Sequence, residues 1–232
     1  MELSRRHMLM VGAGAGAFLL AGCDNNNGNA QAENKSTVNT ADNETPTEYA
    51  PTGDLMKPLA FEDRFIGNED AKVTVIEYSS PTCSHCGTFH NSVYPQFKEQ
   101  YIDTGKIRFV VRPFVRNILD AVVYMLAASE EEGVNVDYYE ILKVYFENQR
   151  TWASSQTPRD AIAEIALNNG FTQETFDASL TNQALFKELE LLRTQAIEEF
   201  NLSATPSFFV NGKLIEGVVP LEDWAKEIDP LL

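Results

Sequence analysis

From residue 73 onward the apolar positions fall into two repeating patterns. Val73, Val75 and Ile76 form a β-branched, mostly apolar run bounded by turn residues, the pattern of an interior strand covered on both faces. The run breaks at Pro81, and from Ser84 to Gln100 a helical spacing places Cys86, Phe89, Val93 and Phe97 on one stripe. Pro95 falls inside this helix and is expected to kink it, because proline lacks the backbone donor and clashes with the preceding turn. Gly105 ends the helix, and residues from Lys106 to Phe114 alternate into a second strand. Strand, helix and strand at this spacing predict a βαβ unit with a parallel pair. Residues 59–66, ahead of the Gly67-Asn68-Glu69-Asp70 loop, read as a short edge strand or turn.

Residues 117–200 change character. Ile118 to Ala128, Tyr138 to Asn148, Pro158 to Asn168, Gln173 to Leu180 and Ala184 to Phe200 each show helical periodicity. Trp152 lies between two of these helices and is expected to pack in the core. A last module follows: Ser207 to Val210, an Asn211-Gly212 hairpin signal, Lys213 to Gly217, then a helix from Pro220 to Ile228. The predicted class is α/β, and the order βαβ, helices, ββα is that of a thioredoxin fold with a helical insert. The expected partition is 56–116 and 201–232 for the thioredoxin-like domain and 117–200 for the insert.

Composition changes the picture at the N-terminus. Arg5-Arg6 precedes a mostly apolar run from Met8 to Leu20 that is too short for a comfortable membrane span, the layout of a cleaved export signal over residues 1–22. Leu20-Ala21-Gly22-Cys23 resembles a bacterial lipobox, which implies acylation of Cys23 and attachment to a lipid bilayer. Ser4-Arg5-Arg6 resembles a twin-arginine signal, with Met8 and Met10 in place of the usual Phe and Lys, so both export routes stay open. Asp24 resembles an inner-membrane retention signal, and the expected location is the periplasmic face of that membrane. Residues 23–55 carry scarcely any large apolar side chain and read as a flexible tether. The formal net charge of -16 argues against nucleic acid as a partner.

With Cys23 assigned to lipid, only Cys83 and Cys86 remain as thiols, in the run Cys83-Ser84-His85-Cys86. A strand ending before Pro81 and a helix opening near Cys83 put the first thiol at a helix N-terminus, where unpaired N–H groups favour a thiolate. The stripe then buries Cys86 and leaves Cys83 exposed, with His85 near the mouth. The pair can close a small disulfide and reopen it by thiol exchange. A zinc site is the poorer fit: it needs four ligands, and beyond the two thiols only His85 and His90 lie nearby. No cofactor is called for. Glu77, a carboxylate inside an apolar strand, is expected to be desolvated, whereas His90 reads as an ordinary, partly exposed side chain.

The Cys83-to-Cys86 motif, Thr205-Pro206 before the hairpin and the element order together resemble the DsbA-like periplasmic thiol-disulfide oxidoreductases over about residues 55–232. The resemblance implies that Cys83 is the nucleophile, Cys86 the resolving thiol and His85 the histidine of the dipeptide between them. It further implies that Pro206 is a cis-proline facing the disulfide, that Thr205-Pro206 contacts substrate, and that Glu77 relays protons to Cys86. Ser84 departs from the proline of the best-known members. The implied partners are exported, cysteine-bearing proteins and a membrane partner that reoxidises a monomeric enzyme. Disulfide reduction or isomerisation, and soft-metal binding by the same thiols, are the alternative readings.

Overall fold

Pairing of five short strands into one sheet of order β1-β3-β2-β4-β5 sets the frame of the molecule. The structure is a computed structural model that describes residues 54–57 and 61–232. The export signal, Cys23 and nearly all of the tether therefore lie outside the described residues. Strand β2 (Val73–Ser79) is central; it runs parallel to β3 (Ile107–Pro113) and antiparallel to β4 (Ser207–Val210). The short β1 (Phe65–Gly67) borders β3, and β5 (Lys213–Glu216) returns beside β4. Asn211 and Gly212 both adopt positive φ, 47° and 95°, the pair of left-handed residues that a tight two-residue hairpin requires.

The segment after β2 departs from the continuous, proline-kinked helix that periodicity predicts. It is α1 (Ser84–Thr88), a π-helical turn (Phe89–Val93), α2 (Tyr94–Phe97) and a second π-helical turn (Lys98–Ile102). Pro95 stands in the first turn of α2, directly after the widened turn. There its missing N–H breaks no regular i→i−4 ladder, so the register change absorbs what a straight helix would express as a kink.

Alternation along the strands decides which side chains meet which helices. Phe208 meets Phe89 and Trp224 at ring-centroid distances of 4.7 and 4.9 Å, so the π-helical turn that follows α1 and the C-terminal α9 (Leu221–Ile228) cover one face. Phe209, the next residue, meets Tyr78 and Phe200 beneath the other face. Glu77 is in register with Phe208 and therefore projects toward the same π-helical turn.

The predicted helices of the insert form, as α3 (Ile118–Ala127), α4 (Tyr138–Glu147), α6 (Pro158–Asn168), α7 (Gln173–Ser179) and α8 (Gln183–Glu198). A further helix, α5 (Gln149–Ala153), was not expected; it buries Trp152 completely, with the indole N–H donated to the Tyr145 carbonyl. Where β1 leaves β3 uncovered, tyrosines of α4 take over its backbone: Tyr139 Oη accepts from the Val111 N–H and Tyr138 Oη donates to the Val111 carbonyl. Leu55, at the end of the predicted tether, is buried and its carbonyl accepts from the guanidinium of fully buried Arg112. Among the described residues no helix is long and apolar enough to cross a membrane.

Candidate active site

The thiols sit where β2 hands the chain to α1. The Phe114 N–H and the Tyr124 hydroxyl both donate to the Ser79 carbonyl, fixing the strand end. Cys83 is the residue that caps α1, in extended conformation, and Cys86 is the third residue of that helix. Both cysteines are free thiols. Cys86 is fully buried, as the stripe predicts, but Cys83 is only 5% exposed and corrects the expectation of an exposed thiol. The cause is a distant segment: Thr205 lies against it, with the Cys83 thiol 3.2 Å from the Thr205 carbonyl that accepts its proton. The Thr205-Pro206 peptide is cis.

The two sulfurs titrate far apart. Cys83 is lowered to about 4, first because the Cys86 thiol donates a hydrogen bond to its thiolate; burial opposes this, and Thr205 with the N–H groups of Cys86 and His85 adds to it. Cys86 moves well above the ordinary thiol value, chiefly through burial, then through holding its proton toward Cys83 and through the negative charge of Glu77. One thiolate and one thiol thus share the site, which suits attack at one sulfur and proton storage at the other.

The remaining predicted residues divide. Glu77 lies in the dry interior, fully buried. His85 is exposed, and no described hydrogen bond joins its ring to Cys83; its backbone N–H is what favours the thiolate. His90 departs from the ordinary, partly exposed side chain expected of it. Its ring is 7% exposed, stacks on Phe146 at 3.9 Å and places Nε2 3.1 Å from Glu77 Oε1. The sequence did carry a signal, since His90 lies four residues from both Cys86 and Tyr94 and borders the buried stripe.

Two further side chains shape the loop and escaped the sequence reading. Gln149 of α5 donates from Nε2 to the carbonyls of Pro81 and Cys83 at 2.7 and 2.8 Å. Asp120 of α3 is completely buried and accepts from the Thr82 N–H, the Ser80 hydroxyl and the Arg116 N–H at 2.7, 2.8 and 2.9 Å. Gln149 stands three residues from both Phe146 and Trp152, on a buried line, but a polar residue there names no partner in advance.

The comparisons with known proteins agree with this geometry. A family model described as thioredoxin matches residues 60–230. A protein of Rickettsia prowazekii (strain Madrid E), provisionally named protein-disulfide oxidoreductase, is 30% identical over 207 residues, covering 89% of this chain and 74% of its own. The Bacillus subtilis (strain 168) disulfide bond formation protein D is 23% identical over 169 residues, 71% of this chain and 74% of that protein. The crystal structure of Wolbachia pipientis alpha-DsbA1 superimposes with a TM-score of 0.64 at 28% identity, covering 75% of this chain and 93% of that one. The chain belongs to the thioredoxin family and, within it, to the DsbA-like oxidoreductases. It is a thiol-disulfide oxidoreductase whose fold is the α/β thioredoxin arrangement with a helical insert.

Proposed function

We propose that this enzyme works as an oxidant, introducing disulfides into exported proteins through Cys83 and Cys86. In the oxidised form a substrate thiolate attacks Cys83 Sγ; the Cys83–Cys86 bond breaks, and Cys86 leaves as a thiolate that takes up a proton. The mixed disulfide on Cys83 is then attacked by the substrate's second thiolate, which forms the substrate disulfide and expels Cys83 as a thiolate. Two electrons pass from substrate to enzyme, and a membrane partner of quinone-linked type takes them away.

The observation that supports this direction is the stabilised Cys83 thiolate. The Cys86 thiol foremost, and after it Thr205 and the backbone N–H groups at the start of α1, favour the charged sulfur, which only the reduced form possesses. Stabilising the reduced form makes the disulfide a stronger oxidant. Glu77 is proposed to supply the proton to Cys86, and the Thr205-Pro206 backbone to pair with an extended substrate segment.

Equilibration with glutathione is expected to give a potential less negative than the roughly −270 mV of thioredoxin. His85→Ala keeps the backbone N–H that favours the thiolate and removes only an exposed, screened ring, so it should move the Cys83 pKa up and the potential down together but only slightly, with a pKa change smaller than that in Cys86→Ala. A wild-type potential at or below that of thioredoxin would replace the oxidant by a reductant. We place the enzyme at the periplasmic face of the inner membrane, held by acylated Cys23; Cys23→Ala then releases it to the soluble fraction without loss of exchange activity. A wild-type protein lacking an acyl mass contradicts the anchor.

A further inference from the structure

Cys86 is enclosed, yet each turnover requires it to gain or lose a proton. Glu77 is the adjacent carboxylate, and its negative charge is felt by Cys86. It too is fully buried, so it cannot exchange protons with water directly. One of its oxygens, Oε1, lies 3.1 Å from His90 Nε2, and the other takes no hydrogen bond from the protein. The carboxylate therefore has one described polar partner, and that partner is an imidazole.

His90 in turn stands at the boundary between core and water. It lines a surface cleft of about 900 Å³ in which Tyr94, Tyr139, Lys143 and Glu147 are its titratable neighbours. Lys98, Asp103, Asp137 and Glu140 line the same cleft. Charged groups of both signs keep such a cleft hydrated, because desolvating them would cost far more than the cleft walls could return. The ring is clamped against Phe146 in near-parallel stacking, 6° between planes, so Nε2 stays on Glu77. Two π-helical turns lie in this stretch, the first of which contains His90 itself.

We propose that His90 is the outer member of a proton path serving Cys86, carrying protons between Glu77 and the water of the cleft. The inference rests on the assignment of Cys86 as resolving thiol. When Cys86 leaves as a thiolate, the Glu77 carboxyl gives it a proton and becomes carboxylate. The imidazolium of His90 then gives Nε2–H to Glu77 and becomes neutral, and water of the cleft returns a proton to the ring. The net transfer is one proton from solvent to sulfur, with no change in electron count; reoxidation runs it backwards. An imidazole suits the outer place because it titrates near neutral pH and exchanges rapidly with water.

The test is single-turnover reduction of the oxidised, full-length protein by dithiothreitol, with rates corrected for the thiolate fraction of the reagent. His90→Gln keeps a hydrogen-bond donor for Glu77, and His90→Phe keeps an aromatic ring against Phe146, but neither carries a proton. Both are expected to react about tenfold more slowly or worse. Both should also lose a pH dependence that the wild type shows between about pH 6 and 8, the range in which an imidazole gains and loses its proton. His90→Ala leaves a gap open to the cleft, and added imidazole should restore its rate, which a purely structural role would not produce. Corrected rates in His90→Gln and His90→Phe within twofold of wild type, or a slow His90→Ala that imidazole leaves slow, overturn the proposal. If the wild type itself does not react, the thiol assignments fail with it; a reactive wild type with indifferent variants removes the role of His90 alone.

Discussion

Gln149 holds Cys83 from the opposite side of the chain's helical segment, its Nε2 donating to the Cys83 carbonyl at 2.8 Å across 66 residues of sequence. The same nitrogen donates to Pro81, so one amide group ties together the two ends of the turn that presents the nucleophile. Gly87 makes room for it: a Cβ there would lie 2.3 Å from Gln149 Oε1. Gln149→Ala leaves two buried carbonyls without this donor and should cost about 1–3 kcal/mol in stability. Gly87→Ala should displace the amide and reproduce the loss. The check is denaturant unfolding of both single variants and the double variant. Because they act on one contact, the double should cost clearly less than the sum, and full additivity would contradict the link.

The reactivity of the two thiols is expected to differ in both rate and pH dependence. Alkylation of reduced protein by iodoacetamide should modify Cys83 alone at neutral pH, with a rate that falls only as pH approaches about 4. Since the largest influence on Cys83 is the hydrogen bond from Cys86, Cys86→Ala should raise the midpoint of this curve. The same variant should accumulate mixed disulfides with substrate, the resolving thiol being absent. Equal modification of Cys83 and Cys86 at neutral pH would refute the assignment.

Stability should depend on redox state in a pH-dependent way. The Cys83 pKa falls from an unfolded value of ~8.5 to about 4 on folding, so its contribution to the reduced fold is complete above the unfolded value. That contribution declines as pH falls and is lost through the folded value. The raised Cys86 acts only at alkaline pH, where the unfolded chain loses a proton that the fold retains. The disulfide form lacks both titrations, and loop closure offsets it by an amount independent of pH. Denaturant midpoints of the two forms, measured from about pH 8 down to about pH 4, should show the reduced form losing ground to the oxidised one throughout. A constant gap would contradict the depressed thiol.

Arg112 and Asp63 form a two-pronged ion pair in the interior, Nε to Oδ1 at 2.8 Å and Nη2 to Oδ2 at 2.6 Å, with Tyr78 Oη accepting from Nη1 at 2.9 Å. Asp63→Ala strands a guanidinium that has no solvent exposure and should cost about 3–5 kcal/mol. Adding Arg112→Met removes the stranded charge and should recover part of the loss. Thermal or denaturant unfolding of the single and double variants decides it; a double variant less stable than Asp63→Ala would show that the pair is not the reason.

Much of this protein was legible in its sequence because the determinants are local. The β-branched run at Val73, the left-handed pair Asn211-Gly212 and the periodicity of α3, α4, α6, α7 and α8 are set by neighbours a few residues away. The Cys83-to-Cys86 spacing and the burial of Cys86 follow from one helical stripe in the same way. What the sequence could not contain was the identity of partners brought together by packing. Cys83 is covered because residue 205 folds over it, His90 is buried because Phe146 stacks on it, and Asp120 and Gln149 reach the Pro81 turn from helices far along the chain. Periodicity tells which face of a helix turns inward, but the hydrogen-bonding group that it meets there belongs to another segment, and only the tertiary structure chooses it.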